Sequence, residues 1–345
     1  MPSVSLVILN YNGRDWIDGC LAGVAAQRGA PAYETLFVDN GSRDNSVTFA
    51  RTKYPDVRVI EHGRNLGFAG GNNAGARHAS GEWLAFLNND TTPDPRWLAA
   101  LWAGAQANPA FGIVTSRLVF MDDPTVIDSA GDGYVRAGGA FKHGHGARTD
   151  EFGVSREVFG ACGGAFMIRR ALFEALGGFD ERFFMQHEDV DLSYRARLRG
   201  ERVWYAADAI VLHAGSGSLG TISPAAVFYG QRNLEWTWIK NTPRALLVST
   251  ALAHAIYSTA GVLHYIGAGR GGAALRGKWS ALRELRAVLA DRRRVQASRT
   301  VDTAALESMM QPRWLAAKRR EKAYVASRAT TKATEHTDYA EPKTK

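Results

Sequence analysis

The sequence contains very little cysteine. Cys20 and Cys162 are the only two in 345 residues, they lie far apart, and neither has a partner at metal-ligand spacing. This scarcity argues against a disulfide framework and against a cysteine zinc site, and it fits a protein kept in a reducing compartment.

A secretory signal is also missing from the N-terminal residues. They lack the basic stretch, the apolar core and the small-residue cleavage site of a signal peptide. We therefore interpret residues 4–9 as a first strand and expect a cytoplasmic protein.

An excess of positive charge is absent from most of the chain. The net charge is +8, but residues 268–345 hold 18 Lys and Arg against 8 Asp and Glu, which leaves −2 for residues 1–267. Proteins that bind nucleic acids generally carry a basic surface, and residues 1–267 are nearly neutral, so no nucleic-acid partner is expected. The basic C-terminal part indicates an anionic membrane surface as the first partner to consider.

Short apolar runs alternate with amphipathic stretches through the first half of the chain. This alternation is typical of βα units around a mostly parallel sheet, and 46% hydrophobic residues provide for a substantial core. The predicted strands are 4–9, 35–38, 57–61 and 83–87, and the predicted helices are 16–27, 45–54, 70–79 and 95–108.

The second half continues with a less regular pattern. Residues 130–146 are rich in glycine without a clear periodicity, and no element is assigned to them. Residues 111–120 are predicted to form a strand or a pair of strands, further strands are predicted at 165–168, 203–205 and 210–213, and further helices at 170–176, 189–199 and 224–240.

The chain changes character after Pro243. Residues 245–268 carry no Asp, Glu, Lys or Arg, and as a helix they are long enough to cross a hydrocarbon core of roughly 30 Å. A weakly polar stripe through them instead favours a helix half-buried at an interface or against protein. The stripe consists of Thr250, His254, Ser258 and Gly261.

A basic amphipathic helix is predicted next, with apolar residues from Leu275 to Leu289 and arginines on either side. It either packs on the body with its arginines in solvent or lies on a membrane, and the second alternative is favoured. The predicted organisation is a catalytic domain over 1–240, a membrane-associating helical segment over 241–300 and a disordered polar tail over 301–345.

Polar side chains follow three predicted strands at their carboxyl ends, where parallel α/β sheets collect ligands. Asp39 is well suited to accept hydrogen bonds from a nucleobase or ribose, although an Asp-Asn-Gly-Ser run also forms ordinary turns. Asp90 stands at the mouth of a buried strand, where a carboxylate needs a cation such as a divalent ion bridging to a diphosphate. The residues at these strand ends are Asn10, Asn12, Asp39, Asn88, Asn89 and Asp90.

Two further stretches contain candidate site residues. The glycine-rich run 62–73 leads into a helix, so that its backbone amides and Arg64 can approach a nucleotide, although it matches neither the P-loop nor the dinucleotide fingerprint. Residues 188–191 hold three carboxylates in four positions. Repulsion between them raises their pKa values and a helix N-terminus lowers them, so the three carboxylates can differ in proton affinity. One of them can act as a base, although acids in a first helical turn are also common caps.

In this order along the chain, the segments resemble family 2 glycosyltransferases of the GT-A fold. The resemblance covers about residues 3–240, and within the family it is nearest to bacterial rhamnosyltransferase-like enzymes of cell-surface polysaccharide assembly. It rests on residues 4–13, 38–44, 88–90, 160–170, 177–181 and 187–195.

The resemblance implies roles for individual residues. Asp189 would be the general base with Glu188 beside it, and Asp90 and His213 would bind Mg²⁺ or Mn²⁺ together with Asn88. Asn88 replaces the first Asp of the family's metal motif, and an amide oxygen is a poorer ligand than a carboxylate. The residues expected to contact the nucleotide are Asn10, Asn12, Asp39, Arg64, Asn65 and Asn89.

The sequence therefore predicts an inverting, metal-dependent glycosyltransferase with a nucleotide-diphospho-sugar as co-substrate. The donor is expected to be dTDP-rhamnose, with a UDP-sugar as the alternative, and the acceptor a saccharide or polyprenyl-linked saccharide in cell-surface polysaccharide synthesis. Such a protein would lie peripherally on the inner face of the cell membrane. A nucleotidyltransferase relative would need a basic N-terminal motif that the run Leu9–Gly13 lacks, and a membrane scaffold without catalysis stays open, as does the oligomeric state.

Overall fold

The structure is a computed structural model that describes residues 2–215 and 223–316. The predicted disordered tail lies outside the described residues from 317 onward. The strands are β1 Val4–Asn10, β2 Tyr33–Asp39, β3 Arg58–Glu61, β4 Trp83–Asn88, β5 Thr91–Pro93, β6 Phe111–Phe120, β7 Ile127–Ser129, β8 Asp132–Val135, β9 Gly139–Lys142, β10 Arg156–Val158, β11 Ala165–Arg169 and β12 Arg202–His213.

The α-helices cover both faces of the sheet and form the C-terminal part. They are α1 Ile17–Ala25, α2 Ser46–Lys53, α3 Gly67–Ala76, α4 Trp97–Ala107, α5 Arg170–Ala175, α6 Glu188–Leu198, α7 Pro224–Asn241, α8 Arg244–Ser249, α9 Ala251–Gly267, α10 Gly271–Arg283, α11 Leu285–Ala297 and α12 Thr303–Ser308.

The main sheet has the strand order β10-β12-β6-β11-β4-β1-β2-β3, with β5 added to β12 and β7 added to β6. Strands β3, β2, β1 and β4 are parallel, β11 is inserted antiparallel between β4 and β6, and β12 runs parallel to β6. The carboxyl ends of β1, β2, β4, β6 and β12 therefore meet at one edge of the sheet.

Alternation along β1 shows how the sheet separates two cores. Leu6 and Ile8 point into one apolar cluster with α1 and α4, while Val7 points into another with α3, α5 and α6. Because successive side chains of a strand face opposite sides, a nearly continuous apolar run fits a sheet that is buried on both faces. The free thiols Cys20 and Cys162 are buried in the first cluster.

Two stretches differ from the sequence prediction. The predicted strands 203–205 and 210–213 are one strand, β12, whose register against β6 shifts between Ala206 and Ile210. Residues 130–146, which received no element, contain the hairpin of β8 and β9. In this hairpin Tyr134 stacks on Phe159 and contacts Tyr194 edge-on, so aromatic packing holds it in place.

The charge-free segment 245–268 is divided into α8 and α9 at Thr250. Within the described residues, no helix has the length and apolar content needed to cross a membrane. The polar stripe predicted for this segment does face protein, because His254 and Ser258 both donate to the carboxylate of Glu235 on α7, at 2.8 and 2.7 Å.

Residues 301–316, which the sequence assigns to a disordered tail, are ordered against the body. Asp302 caps α12 through the amide of Ala305, Leu306 is fully buried, and Gln311 bridges to Val135 of the hairpin. The expectation of disorder is therefore wrong for this part, because Leu306 and Met310 complete an apolar cluster that includes Tyr134 and Tyr194 of the α/β body.

Candidate active site

The predicted nucleotide residues at the ends of β1, β2 and β4 form one hydrogen-bond network. The fully buried Asn10 donates to Ser46 at 2.9 Å and accepts from Asn89 at 2.9 Å. Asp39 accepts from the backbone amides of Gly41 and Ser42 at 3.1 and 3.0 Å, so it shapes the loop that follows it.

A second contact brings the glycine-rich loop to the same edge. Asn40 donates to Asn65 at 2.9 Å and accepts from the amide of Leu66 at 2.8 Å. A Cβ on Gly41 would lie 2.7 Å from the backbone of Arg64, so the two loops pack without a side chain between them. Arg64 itself is exposed at this edge.

An open cleft of about 540 Å³ lies beside this network. Asn12 stands at its edge with a left-handed φ of 51° and accepts from the amide of Arg43 at 2.8 Å. Arg14 and Arg43 line the cleft together with Asp15 and Asp44, so the two cationic side chains that could face a phosphate stand beside an equal number of carboxylates.

The predicted metal residues Asp90 and His213 are brought together by the pairing of β12 with β5. Nε2 of His213 lies 3.5 Å from Oδ1 of Asp90, and both side chains are mostly buried. Asn88 is close in sequence, but its amide group lies beside Gly164, where a Cβ would be 3.8 Å from its Nδ2.

His213 has a second carboxylate on the opposite side of its ring. Nδ1 of His213 donates to Oδ2 of Asp128 at 2.8 Å, and Asp128 is completely buried. Burial alone would lower the pKa of His213, but Asp128 and Asp90 outweigh it and raise the pKa to about 9. Burial opposes ionisation of Asp128 as well, yet Lys142 and the two histidines hold its pKa well below the usual range.

The donor set at Asp90 and His213 fits a divalent cation that is shared with a ligand. Two groups that bind one ion at about 2.1 Å lie roughly 3 to 3.5 Å apart, close to the observed separation. Across residues 2–215 and 223–316, no group of three or more His, Cys, Asp or Glu side chains could hold a metal. The other coordination positions would belong to water and phosphate oxygens, as is usual for Mg²⁺.

The predicted base, Asp189, is fixed by two backbone amides. Its Oδ2 accepts from Gly163 and its Oδ1 from Val190, both at 2.8 Å. Burial raises the pKa of Asp189, and these amides oppose the rise. Burial and the charge of Asp189 raise the pKa of Glu188 well above the usual range, so Glu188 is the harder of the two carboxyls to ionise.

A strained loop presents these two acids. Phe184, Gln186 and His187 all have left-handed φ values, between 63° and 71°. The amide of Asn233 on α7 faces three carbonyls of this loop, those of Phe183, Met185 and Gln186, at 2.7 to 2.9 Å. Helix α7 therefore determines how the loop enters α6.

A series of backbone contacts connects the base to the metal residues. Gly163, which binds Asp189, is followed by Gly164, whose carbonyl accepts from the amide of Asn88 at 2.9 Å. Burial raises the pKa of Asp189, and the charge of Lys142, which binds Asp128, opposes part of that rise.

The residues missed by sequence reasoning are Asp128, Lys142, Gly163 and Asn233. Only Asp128 could have been suspected from the sequence, because it follows the apolar residues Val126 and Ile127. A carboxylate buried in such a run is costly unless it has a charged or hydrogen-bonding partner. Gly163 lies in the segment 160–170 on which the resemblance rests, but its contact with Asp189 was not predicted. Lys142 and Asn233 are ordinary in sequence and become distinctive only through contacts with distant residues.

Comparisons with known proteins agree with this geometry. The sequence model described as Glycosyl transferase family 2 matches residues 5–177, which is half of the chain. The chain is 32% identical over 232 residues to O-antigen biosynthesis protein RfbC of Myxococcus xanthus, covering 63% of this chain but only 18% of that protein. It is 29% identical over 238 residues to N-acetylglucosaminyl-diphospho-decaprenol L-rhamnosyltransferase of Mycobacterium tuberculosis, covering 62% of this chain and 77% of the relative.

Solved structures resemble the chain at low sequence identity. TarS 1-349 of S. aureus in complex with UDP-GlcNAc matches with a TM-score of 0.55 and 15% identity, covering 89% of this chain and 90% of that one. GalNAc-T7 with UDP, GalNAc and Mn²⁺ matches with a TM-score of 0.51 and 17% identity, covering 62% and 43%. These likenesses confirm the predicted GT-A type α/β fold.

Proposed function

Because the chain belongs to glycosyl transferase family 2, we propose that it transfers a sugar with inversion from a nucleoside-diphosphate donor to a hydroxyl of a saccharide or lipid-linked saccharide. The observation that carries this proposal is the chain of contacts from Asp189 through Gly163 and Gly164 to the strand end that bears Asp90. These contacts would hold the base and the cation site in a fixed relation to each other.

The donor would lie along the edge of the sheet. The polar network of Asn10, Asp39 and Asn89 adjoins the nucleotide, with Asn12, Asn65 and Arg64 at the rim. Arg14 and Arg43 of the neighbouring cleft would face the anionic diphosphate, with the carboxylates of Asp15 and Asp44 directed away from it.

Asp90 and His213 would hold Mg²⁺ or Mn²⁺, with the amide oxygen of Asn88 as a further, weaker candidate. A bound divalent ion stabilises the negative charge that develops on the leaving diphosphate. Asp90 and His213 would fix where that charge is neutralised, because both side chains are mostly buried and the pairing of β12 with β5 holds their backbones together.

Asp189 would accept the proton of the attacking hydroxyl. The amides of Gly163 and Val190 direct its oxygens and oppose the rise that burial causes in its pKa. A single base on the face opposite the leaving group suffices for one displacement, which inverts the anomeric carbon.

The likeness to the L-rhamnosyltransferase of M. tuberculosis supports dTDP-rhamnose as the donor and a polyprenyl-linked saccharide as the acceptor in polysaccharide synthesis. A UDP-sugar is the alternative donor.

A lipid-linked acceptor agrees with the surface of the C-terminal helices. Helix α9 exposes Leu252, Ile256, Leu263 and Ile266, and α10 exposes Leu275, Trp279 and Leu282. Arg276, Arg283 and Arg286 are exposed next to the face of α10. Apolar side chains next to exposed arginines suit a helix lying on an anionic lipid surface, so the protein would act peripherally on the inner face of the cell membrane.

A screen of nucleotide sugars tests the proposal. The purified chain is incubated with dTDP-rhamnose and with UDP- and GDP-sugars, with and without Mg²⁺ or Mn²⁺, and released nucleoside diphosphate is measured. We expect metal-dependent release from at least one donor, increased by a polyprenyl-linked saccharide. If the chain neither binds nor turns over any donor, the result favours a scaffold without catalysis.

Asp189→Asn is the matched variant for this screen. It should bind the donor normally and lower transfer by about 10²- to 10⁴-fold, because the amide cannot accept the hydroxyl proton. Near-normal turnover would remove Asp189 from the role of base.

A further inference from the structure

Asp128 lies in the short strand β7 and is completely buried, although it carries a charge. Strand β7 pairs antiparallel with β6, the neighbour of the strand that ends at His213. The carboxylate of Asp128 therefore lies beside Nδ1 of His213, on the side of the ring away from Asp90.

Three cationic or ring nitrogens converge on Asp128. Nδ1 of His213 lies 2.8 Å from Oδ2, and Nζ of Lys142 lies 2.8 and 2.9 Å from the two carboxylate oxygens. Nδ1 of His145 lies 2.8 Å from the backbone carbonyl of Asp128 and 3.3 Å from Oδ1. Lys142 supplies the opposite charge that a buried carboxylate requires.

The contact with Asp128 determines which nitrogen of His213 faces Asp90. An imidazole that gives one nitrogen to a metal carries its proton on the other nitrogen, and a carboxylate acceptor holds that proton in place. Asp128 accepts at Nδ1, which leaves Nε2 directed toward Asp90 at 3.5 Å. Without Asp128, the ring could rotate and the neutral ring could carry its proton on Nε2.

We propose that Asp128 is a positioning residue for the divalent cation, acting by fixing the orientation and tautomer of His213. This inference rests on the metal site of the proposed function. Asp128 does not touch the ion or the sugar, and the hairpin residue Lys142 keeps its carboxylate in place.

The test measures Mn²⁺ binding to the full chain in the presence of dTDP or UDP, by electron paramagnetic resonance of free Mn²⁺. We expect Asp128→Ala to weaken Mn²⁺ binding about 10- to 100-fold, as loss of the partner of a metal-binding histidine generally does. Asp128→Asn should recover part of this affinity, because its amide oxygen still accepts from Nδ1. The double variant Asp128→Ala/His213→Ala should bind no more weakly than His213→Ala alone.

Asp191→Asn controls for a general loss of stability. Asp191 is equally buried and also paired with cations, Arg195 at 2.8 Å and Lys240 at 2.7 Å, but it lies on α6. This variant should lower the thermal unfolding temperature and leave Mn²⁺ affinity unchanged. A loss of Mn²⁺ affinity here as large as in Asp128→Ala would mean that reduced stability explains both, which overturns the inference.

The remaining outcomes separate the inference from the proposed function. Suppose that His213→Ala weakens Mn²⁺ binding, so that the metal site stands. Full Mn²⁺ affinity in Asp128→Ala, or losses of affinity that add in the double variant, would then overturn the role of Asp128 alone. Unchanged affinity in both Asp90→Asn and His213→Ala would overturn the metal site itself and the inference with it.

Discussion

Gly163 leaves room for Asp189 where any side chain would displace it. A Cβ built on Gly163 would lie 2.9 Å from Oδ2 and 3.2 Å from Cβ of Asp189. The φ of Gly163 is not left-handed, so alanine is tolerated by the backbone and only the contact with Asp189 is disturbed.

We therefore expect Gly163→Ala to lower the turnover number by about tenfold or more, since a shift of the base by a fraction of an ångström misaligns proton transfer. Donor affinity and the thermal unfolding temperature should change little. Steady-state kinetics with the donor found in the screen, together with thermal unfolding, provide the measurement.

Gly230→Ala is the control for this substitution. Gly230 lies inside α7, where nothing stands within 4 Å of an added Cβ, so activity should be retained and stability should rise by up to about 1 kcal/mol. Equal turnover in Gly163→Ala and Gly230→Ala would show that Asp189 tolerates displacement.

The role of a single residue could be predicted where its position in a strand or helix indicates that role. Asp39 and Asp90 follow strands, and Asp189 stands in a first helical turn. Asp128 meets His213 across 85 positions, and Asn233 meets Phe183 across 50. No local pattern encodes such contacts, because they depend on the sheet order and on the packing of α7.

The loop before α6 shows the same dependence at the scale of an element. Left-handed backbone at three residues other than glycine costs roughly 1 to 3 kcal/mol each, and such strain persists only where the surroundings impose it. Asn233 is completely buried beneath this loop, and the neighbouring Arg232 donates to the carbonyls of Arg182 and Phe183.

We expect Asn233→Asp to lower the free energy of unfolding by about 2 to 4 kcal/mol, because a buried carboxylate would face three carbonyls in place of a donor. At temperatures where the variant is folded, the turnover number should fall more than donor affinity, since the loop orients Glu188 and Asp189. Chemical denaturation and a comparison of kcat with KM measure the two effects.

Asn108→Asp makes the same chemical change at the end of α4. The amide of Asn108 donates to one carbonyl, that of Gly104 at 3.0 Å, and it is only half-buried. It should alter stability by less than about 1 kcal/mol. An Asn233→Asp enzyme with unchanged kcat would show that α7 supports the fold but does not orient the base.

Most elements of the α/β body follow from periodicity, and the exceptions have physical reasons. The strand β12 was read as two because its register shift interrupts the alternation between Ala206 and Ile210. The single amphipathic helix predicted with an apolar face from Leu275 to Leu289 is divided at Glu284 into α10 and α11, and α10 packs on α7 through small residues. Gly277 is essential there, since its Cβ would lie 2.5 Å from the carbonyl of Phe228.

The whole molecule joins these helices to the body more closely than a boundary at 240 suggests. Phe183 and Trp236 share an apolar cluster with Ala281 and Val288. Glu235 on α7 accepts from His254, Ser258 and Lys278 of the following helices at 2.6 to 2.8 Å. Removal of residues after 240 would expose this surface of α7, so point substitutions are the cleaner way to study the C-terminal part.

Packing through small residues leaves the large apolar side chains of α9 and α10 in solvent. Leu252 is 75% exposed and Trp279 is 63% exposed. Transfer of each such side chain out of water contributes about 1.5 to 3 kcal/mol, and arginines beside them add attraction to anionic lipid.

We expect the full chain to float with vesicles that contain phosphatidylglycerol. The double variant Leu252→Ser/Trp279→Ser should bind these vesicles at least tenfold more weakly. Its release of nucleoside diphosphate from a soluble donor should be unchanged. Val154→Ser is the matched control, because Val154 is 78% exposed but lies on the catalytic body. High salt should weaken binding of the wild-type chain, since exposed arginines contribute part of the attraction. Equal flotation of the double variant and the wild-type chain would mean that these helix faces do not contact lipid.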